Sequence, residues 1–316
     1  MEEDGFVLVP TKKNKRIYKT SKQKKCVNKD IAEGRKDKEE HELVDIKDFC
    51  KKIEKSEIDV VNSEFFQRFV NDTLAQHELV VPNSNFKTKE NKVSSTNIIS
   101  KIICLGLGNF TSSKEGEYQL VFLKCLVKIL GLEDSLTRKS VLVFDPVHTK
   151  CEESIIQELG FECAAKANNL EGKYSLKDED YSGTLFYLPH CPKQLTNNIL
   201  WANWQPELLG SASPECPDDR SQHGIYILGN SFESITSSLP DRILKERLEY
   251  ILLSSSYVFE TKVDNCFKYS DIFNDTSLHS FPIKTLPSSS DPIWKLAIDK
   301  GPPIYKQDVE LIQDKI

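Results

Sequence analysis

The chain has 316 residues, 39% of them hydrophobic and 28% charged, which fits one large globular domain with a polar tail. A formal charge of −6 argues against a nucleic-acid binder, and no run of about 18 apolar residues exists to span a bilayer. Nine cysteines, an odd number without a CxxC pair, argue against a secreted disulfide framework and predict a reducing compartment, the cytoplasm or the nucleus.

The opening, MEEDGFVLVP, is acidic with an apolar run of only four residues, Phe6 to Val9, and reads as neither a signal peptide nor a membrane helix. Residues 1–40 hold few large apolar groups, and twelve Lys or Arg lie between Thr11 and Lys38. Such a segment cannot bury enough surface to offset its chain entropy, so a disordered basic tail is expected. Lys12-Lys13-Asn14-Lys15-Arg16 resembles a nuclear import cluster, although a solvated tail accounts for it more simply. From His41 to Leu79, Leu43, Ile46, Phe49 and Ile53, then Phe65, Phe66, Phe69 and Leu74, recur at helical spacing. Residues 82–94 are a polar linker opened by Pro82, so 41–94 read as a helical extension and linker, and 95–316 as the main domain.

In that domain Asn97–Leu105 is a buried strand running into Gly106-Leu107-Gly108-Asn109-Phe110. Ser112 and Glu115 form a capping box for the next helix, which Gly131 stops. Ser140–Phe144 is a second strand ending at Asp145-Pro146, Glu152–Leu159 a short helix, and Phe161–Ala165 a third strand. Thr184–Leu188 is a fourth, ending at Pro189-His190-Cys191-Pro192, and Lys193–Trp204 is a helix. Residues 210–223 read as a polar surface loop. Gly224–Leu228 is a fifth strand ending at Gly229-Asn230-Ser231, and Asp241–Leu253 is a helix. Apolar strands alternating with helices predict an α/β fold: a Rossmann-like open, mostly parallel sheet with helices on both faces.

Ligands of open parallel sheets sit beyond the carboxyl ends of the strands. Four predicted strand ends carry unusual turn residues, and this coincidence says more than any one motif. Gly106 and Gly108 let the backbone approach a phosphate or nucleoside, Asn109 stands beside them, and Asp145 is placed to take a ribose. Thr111 replaces the third glycine of the dinucleotide fingerprint, and Asp145 follows Gly108 by 37 residues, later than usual. These residues, with Asn230 on the same edge, predict a nucleotide or S-adenosylmethionine pocket. The alternative is that the glycines serve a tight turn and Asp145 caps the next helix. His190 and Cys191 are adjacent on an extended segment and face opposite ways, so a dyad is geometrically poor. Haem ligation by the Cys191 thiolate, with His190 as neighbour or alternate ligand, fits better, and Cys216-Pro217 is a second Cys-Pro pair. The alternative there is a rigid, proline-flanked turn. The six His lack zinc spacing, and neither a GxSxG elbow nor a P-loop Lys occurs. Trp201 and Trp204 read as packing rather than as a stacking platform.

Taken in order, DGFVLV, IICLGLGNF, VFDPV, the helix ending in ELG, FYLPHCP, NNILWANW, YILGNSF and FNDTSLHSFP resemble the Sensitivity-to-Red-light-Reduced family over most of Lys101–Pro282. The likeness is to the animal form that carries this domain alone. It implies a regulator rather than a defined reaction: members are linked to circadian clock control, in plants also to red-light signalling, and in animals to regulation of haem biosynthesis. No settled enzymatic activity comes with it, and the partners it implies are unidentified proteins. Beside the haem link, the Pro189–Pro192 turn makes haem one expected ligand. The other expectation is a methyltransferase-like enzyme using S-adenosylmethionine or a nucleotide, with the Pro189–Cys191 turn at the acceptor.

Overall fold

A computed structural model describes residues 45–81, 94–96, 98–133, 141–164, 171–176, 183–211 and 224–305. The basic tail at 1–40, the linker except Ser94, the loop from 212 to 223 and with it Cys216 lie outside the described residues.

Helix α1 (Ile46–Val61) begins at Asp45, whose carboxylate accepts from the Lys47 and Asp48 amides. Helix α2 (Glu64–Arg68) begins at Ser63 and continues into a π-helical turn over Phe69–Leu74. Strands β1 (Val80–Val81) and β2 (Ser94–Ser95) form a small antiparallel ladder. The main sheet comprises β3 (Ile99–Leu105), β4 (Val141–Phe144), β5 (Glu162–Cys163), β6 (Gly183–Tyr187), β7 (Ile225–Asn230), β8 (Phe259–Lys262) and β9 (Thr276–Ser280). Their spatial order is β5-β4-β3-β6-β7-β9-β8. Strands β3 to β7 pair in parallel, while β9 runs antiparallel to both β7 and β8. The connecting helices are α3 (Lys114–Ile129), α4 (Lys150–Glu158), α5 (Lys193–Ala202), α6 (Pro206–Leu209), α7 (Phe232–Ser238), α8 (Asp241–Arg247), α9 (Glu249–Ser254) and α10 (Leu296–Lys300). The expected α/β architecture with a mostly parallel sheet is therefore present. No helix among the described residues is long and apolar enough to cross a membrane.

The apolar strands are buried on both sides because alternate residues feed two cores. Ile102, Cys104, Val143, Tyr187 and Leu228 pack with Phe49, Phe65, Leu120, Phe122 and Ile155. Ile103, Leu105, Phe186 and Ile227 pack with Ile199, Leu200, Phe232 and Ile251. In the first core, α1 lies against α3 through charge as well as bulk: Glu117 accepts from Ser56 (2.8 Å) and pairs with Lys52 (2.6 Å), and Glu57 pairs with Lys124 (2.8 Å) and Lys128. In the second, the asparagines of NNILWANW are internal struts. Asn197 Oδ1 accepts from the Tyr250 amide (2.9 Å), Asn198 Oδ1 accepts from the Tyr305 hydroxyl (2.8 Å), and Asn203 Oδ1 accepts from the Leu176 amide (2.8 Å). Trp204 is buried against Tyr250 and Trp294 and donates to the Ile293 carbonyl (2.9 Å), as a packing residue does.

Several elements differ from the sequence expectation. Helix α3 is capped by Ser113, which accepts from the Gly116 amide, because Ser112 is drawn into a turn closed by Asn109. The reciprocal capping box belongs to α4, between Thr149 and Glu152. The helix expected over 241–253 breaks at Leu248 (φ −137°, ψ 39°) into α8 and α9. The third strand is only two residues long.

Candidate functional site at the carboxyl edge of the sheet

Strand β3 ends at the reversal of strand order, with β4 on one side and β6 on the other. Such a crevice is where open α/β sheets bind ligands. On the β4 side the chain turns through Gly106 (φ +82°) and Gly108 (φ +63°), both in the left-handed region that favours glycine. The two glycines are needed for different reasons. A Cβ on Gly106 would overlap the Cys191 Sγ, whereas a Cβ on Gly108 would meet nothing within 4 Å. Gly106 therefore serves packing, and Gly108 leaves an open stretch of backbone.

This turn is held by two acids. Asp145, 8% exposed, accepts from the Gly108 amide (2.7 Å) and the Val147 amide (3.0 Å). Glu152, fully buried, accepts from the amide and hydroxyl of Thr111 (3.0 and 3.1 Å) and from the amide and hydroxyl of Thr149 (2.9 and 3.1 Å). Asn109 Oδ1 accepts from the Thr111 hydroxyl and from the amide and hydroxyl of Ser112. His148 packs edge-on against Phe110, with ring centroids 5.4 Å apart. Burial pushes its pKa down, against the opposing pull of the Asp145 and Glu152 carboxylates.

On the β6 side the chain leaves Tyr187 through Pro189 and His190, which holds φ at +49°. His190 is exposed and Cys191 is buried, so the two side chains do separate. The Cys191 thiol donates to the Leu105 carbonyl (3.1 Å), and burial together with the Asp145 charge pushes its pKa up. Asn230 at the end of β7 donates through Nδ2 to the Cys191 carbonyl (2.8 Å), and the Ser231 amide donates to the Asp275 carbonyl (3.1 Å). Between these strand ends lies an open hollow of about 370 Å³ lined by His190, Cys191, Lys193, Asn230, Asp271, Asn274 and Asp275.

The expected site residues thus fall into two neighbouring groups, Gly106, Gly108, Asn109 and Asp145 on β3–β4, and His190, Cys191 and Asn230 on β6–β7. They meet where the Cys191 thiol reaches β3. Sequence reasoning missed Lys193, Asp271, Asn274 and Asp275, although Asn274 and Asp275 stand in the FNDTSLHSFP segment. It also missed Glu152, which a Thr-x-x-Glu capping box would have marked. A second hollow of about 520 Å³ lies where α1 meets the start of α3, and its charges are largely answered locally, Lys52 by Glu117 and Asp59 by Lys268. Among the described residues, no group of three His, Cys, Asp or Glu is disposed to hold a metal ion.

Comparison with known proteins matches residues 70–280 to the SRR1 domain. An SRR1-like protein of Drosophila melanogaster is 31% identical over 193 residues, 61% of this chain and 59% of the fly protein. One from Mus musculus is 34% identical over 152 residues, 48% of this chain and 52% of the mouse protein. The Arabidopsis thaliana protein SENSITIVITY TO RED LIGHT REDUCED 1 is 26% identical over 186 residues, 57% of this chain and 58% of its own length. The chain spans little more than half the length of these relatives, and no solved structure matches it. With the domain covering two thirds of its residues in one continuous match, this chain belongs to the SRR1 family.

Proposed function

We propose that this chain is a regulatory protein whose input is a small molecule bound at the carboxyl edge of its sheet. Its output, as the family resemblance implies, is control of haem biosynthesis and clock-gene expression, exercised in the cytoplasm or nucleus. The observation that carries the reading is the gathering of an open glycine backbone and a charged hollow at adjoining strand ends beside the reversal of strand order. The name of the Arabidopsis relative describes a response to red light, which supports regulation over a housekeeping reaction.

The residues do not fit haem held by the Cys191 thiolate. The sulfur is buried and donates to Leu105, its charged form is disfavoured, and the adjoining hollow is lined mainly by polar and charged side chains. They fit a nucleoside-type ligand better, because the face of Gly108 where a Cβ would stand is open to 4 Å, although its amide is held by Asp145. This supports the second reading, a Rossmann-like transferase using S-adenosylmethionine or a nucleotide, with Gly108 and Asn109 beside the cofactor.

The test is thermal unfolding with haemin, S-adenosylmethionine and ATP. A ligand at 100 times its dissociation constant raises stability by about 2.7 kcal/mol. Gly108→Asn keeps a residue type that tolerates the left-handed region and fills the open face, so it should fold normally and lose the shift. No shift with any of the three overturns the ligand-gated reading.

A further inference from the structure

The hollow between the ends of β6 and β7 and the start of β9 carries both signs of charge, and its lining charges close no ion pair among the described residues, Asp275 meeting Lys262 and His190 meeting Glu115 only at longer range. Among the described residues, Lys193, Asn274 and Asp275 make no side-chain hydrogen bond or ion pair, and Asp271 receives only a 3.3 Å bond from its neighbour Ser270. Asn230 has its amide nitrogen engaged with the Cys191 carbonyl, which leaves its oxygen as a fixed acceptor at the wall. The rim is set rather than loose. His190 and Asp275 both hold left-handed backbone, at φ +49° and +50°, and the bonds Asn230–Cys191 and Ser231–Asp275 tie Cys191, next to His190, and Asp275 to the end of β7.

A ligand of one charge would satisfy half of this lining and leave the other half facing a like charge. A ligand with an ammonium and a carboxylate on one carbon satisfies both, because charge-assisted bonds are the strongest a polar pocket can make. We propose that the hollow holds the amino-acid end of a small zwitterionic ligand, its carboxylate toward Lys193 and its ammonium toward Asp271 and Asp275. This rests on the reading of the carboxyl edge as a ligand site and adds the chemical class of the ligand.

The experiment is calorimetric titration of the full chain with S-adenosylhomocysteine, which joins an amino-acid end to a nucleoside, and with 5′-methylthioadenosine, which lacks that end. Lys193→Met and Asp275→Asn accompany the unaltered protein; asparagine keeps the left-handed backbone at 275, and methionine keeps most of the lysine stem. S-adenosylhomocysteine should bind at least about ten-fold more tightly than methylthioadenosine, and each substitution should weaken it about ten-fold while leaving methylthioadenosine unchanged. Equal affinities for the two compounds, indifferent to both substitutions, overturn the zwitterion assignment and leave the edge as a nucleoside site. Binding of neither, with haemin still raising the unfolding temperature, overturns it and leaves the ligand-gated reading standing. Failure of both compounds here, with no thermal shift from haemin, S-adenosylmethionine or ATP, ends both.

Discussion

The two halves of the sheet's carboxyl edge are built on opposite plans. Around the glycine turn the acids and the asparagine are spent inside the protein: Asp145 on Gly108 and Val147, Glu152 on Thr111 and Thr149, Asn109 on Thr111 and Ser112. Around the neighbouring hollow, Lys193 and Asp275 make no side-chain hydrogen bond or ion pair within the described residues, and Asp275 feels only the charge of Lys262. Saturated polar groups fix a shape, and unsaturated ones on a fixed rim are free to meet something else. The segment that catches the eye in the sequence is thus largely framework, and the quieter segments next to it hold the free chemistry.

Substitutions test this contrast, and the largest effect belongs to a closed group elsewhere on the sheet. His77 is buried between the Ser280 and Thr261 hydroxyls (2.8 and 3.1 Å), and burial, helped by His279, pushes its pKa down to about 3. Below about pH 6.5 the unfolded chain takes up a proton that the folded chain refuses, so stability falls as pH drops toward 3, by on the order of 5 kcal/mol in full. Urea midpoints at pH 7 and pH 5 should diverge in the unaltered protein and converge in His77→Gln; equal slopes in both would refute the closed site. Glu260 titrates lower still. Burial would raise its carboxyl, but His279, 3.6 Å away, outweighs it and holds the group at about 2, so its contribution is lost between about pH 4.5 and 2.

Next comes Glu152→Ala, which empties a fully buried site and orphans partly buried donors on two loops, and should cost about 2 kcal/mol by chemical denaturation. Gly106→Ala should cost about 2 kcal/mol, from the left-handed backbone and the clash with the Cys191 sulfur. Adding Cys191→Ala should recover part of that cost, so the double variant is more stable than the sum of the singles. Simple additivity would place the whole penalty in the backbone. Smallest are Lys193→Met and Asp275→Asn, each within about 0.5 kcal/mol of the unaltered protein, since they break no internal bond. A larger loss at either position would move it from the open plan to the closed one.

What could be read from the sequence follows the same division. Strands β3, β4, β6 and β7 announce themselves as apolar runs because both faces are buried. Strand β8, Phe-Glu-Thr-Lys, does not, since it sits at the sheet's margin and none of its residues is buried. Strand β9 is fully internal, yet its Ser277, His279 and Ser280 read as loop chemistry. Helix α7 is hidden by its serines, and the break at Leu248 has no proline or glycine to signal it. At the site, the glycines and Asp145 were legible by type and place, but their partners were not. Whether a carboxylate faces a ligand or its own backbone is decided by the turn geometry around it. Lys193, Asp271 and Asp275 were illegible because isolated surface charges look alike until the fold brings them together.

The sheet order also has a consequence for how the chain is made. Strand β8 is synthesised before β9 yet lies outside it, so it has nothing to pair with until its successor arrives. From Asn230 to Ser280 is 50 residues, so at synthesis rates of about 5–20 residues per second β7 presents bare amides and carbonyls for about 3–10 s. An apolar strand edge left open for that long is a template for aggregation, and a chain truncated before Thr276, which loses every residue that pairs with β7, would keep it open permanently. Yield from a growing chain should therefore depend on chaperone protection during that interval more than on the equilibrium stability of the finished fold.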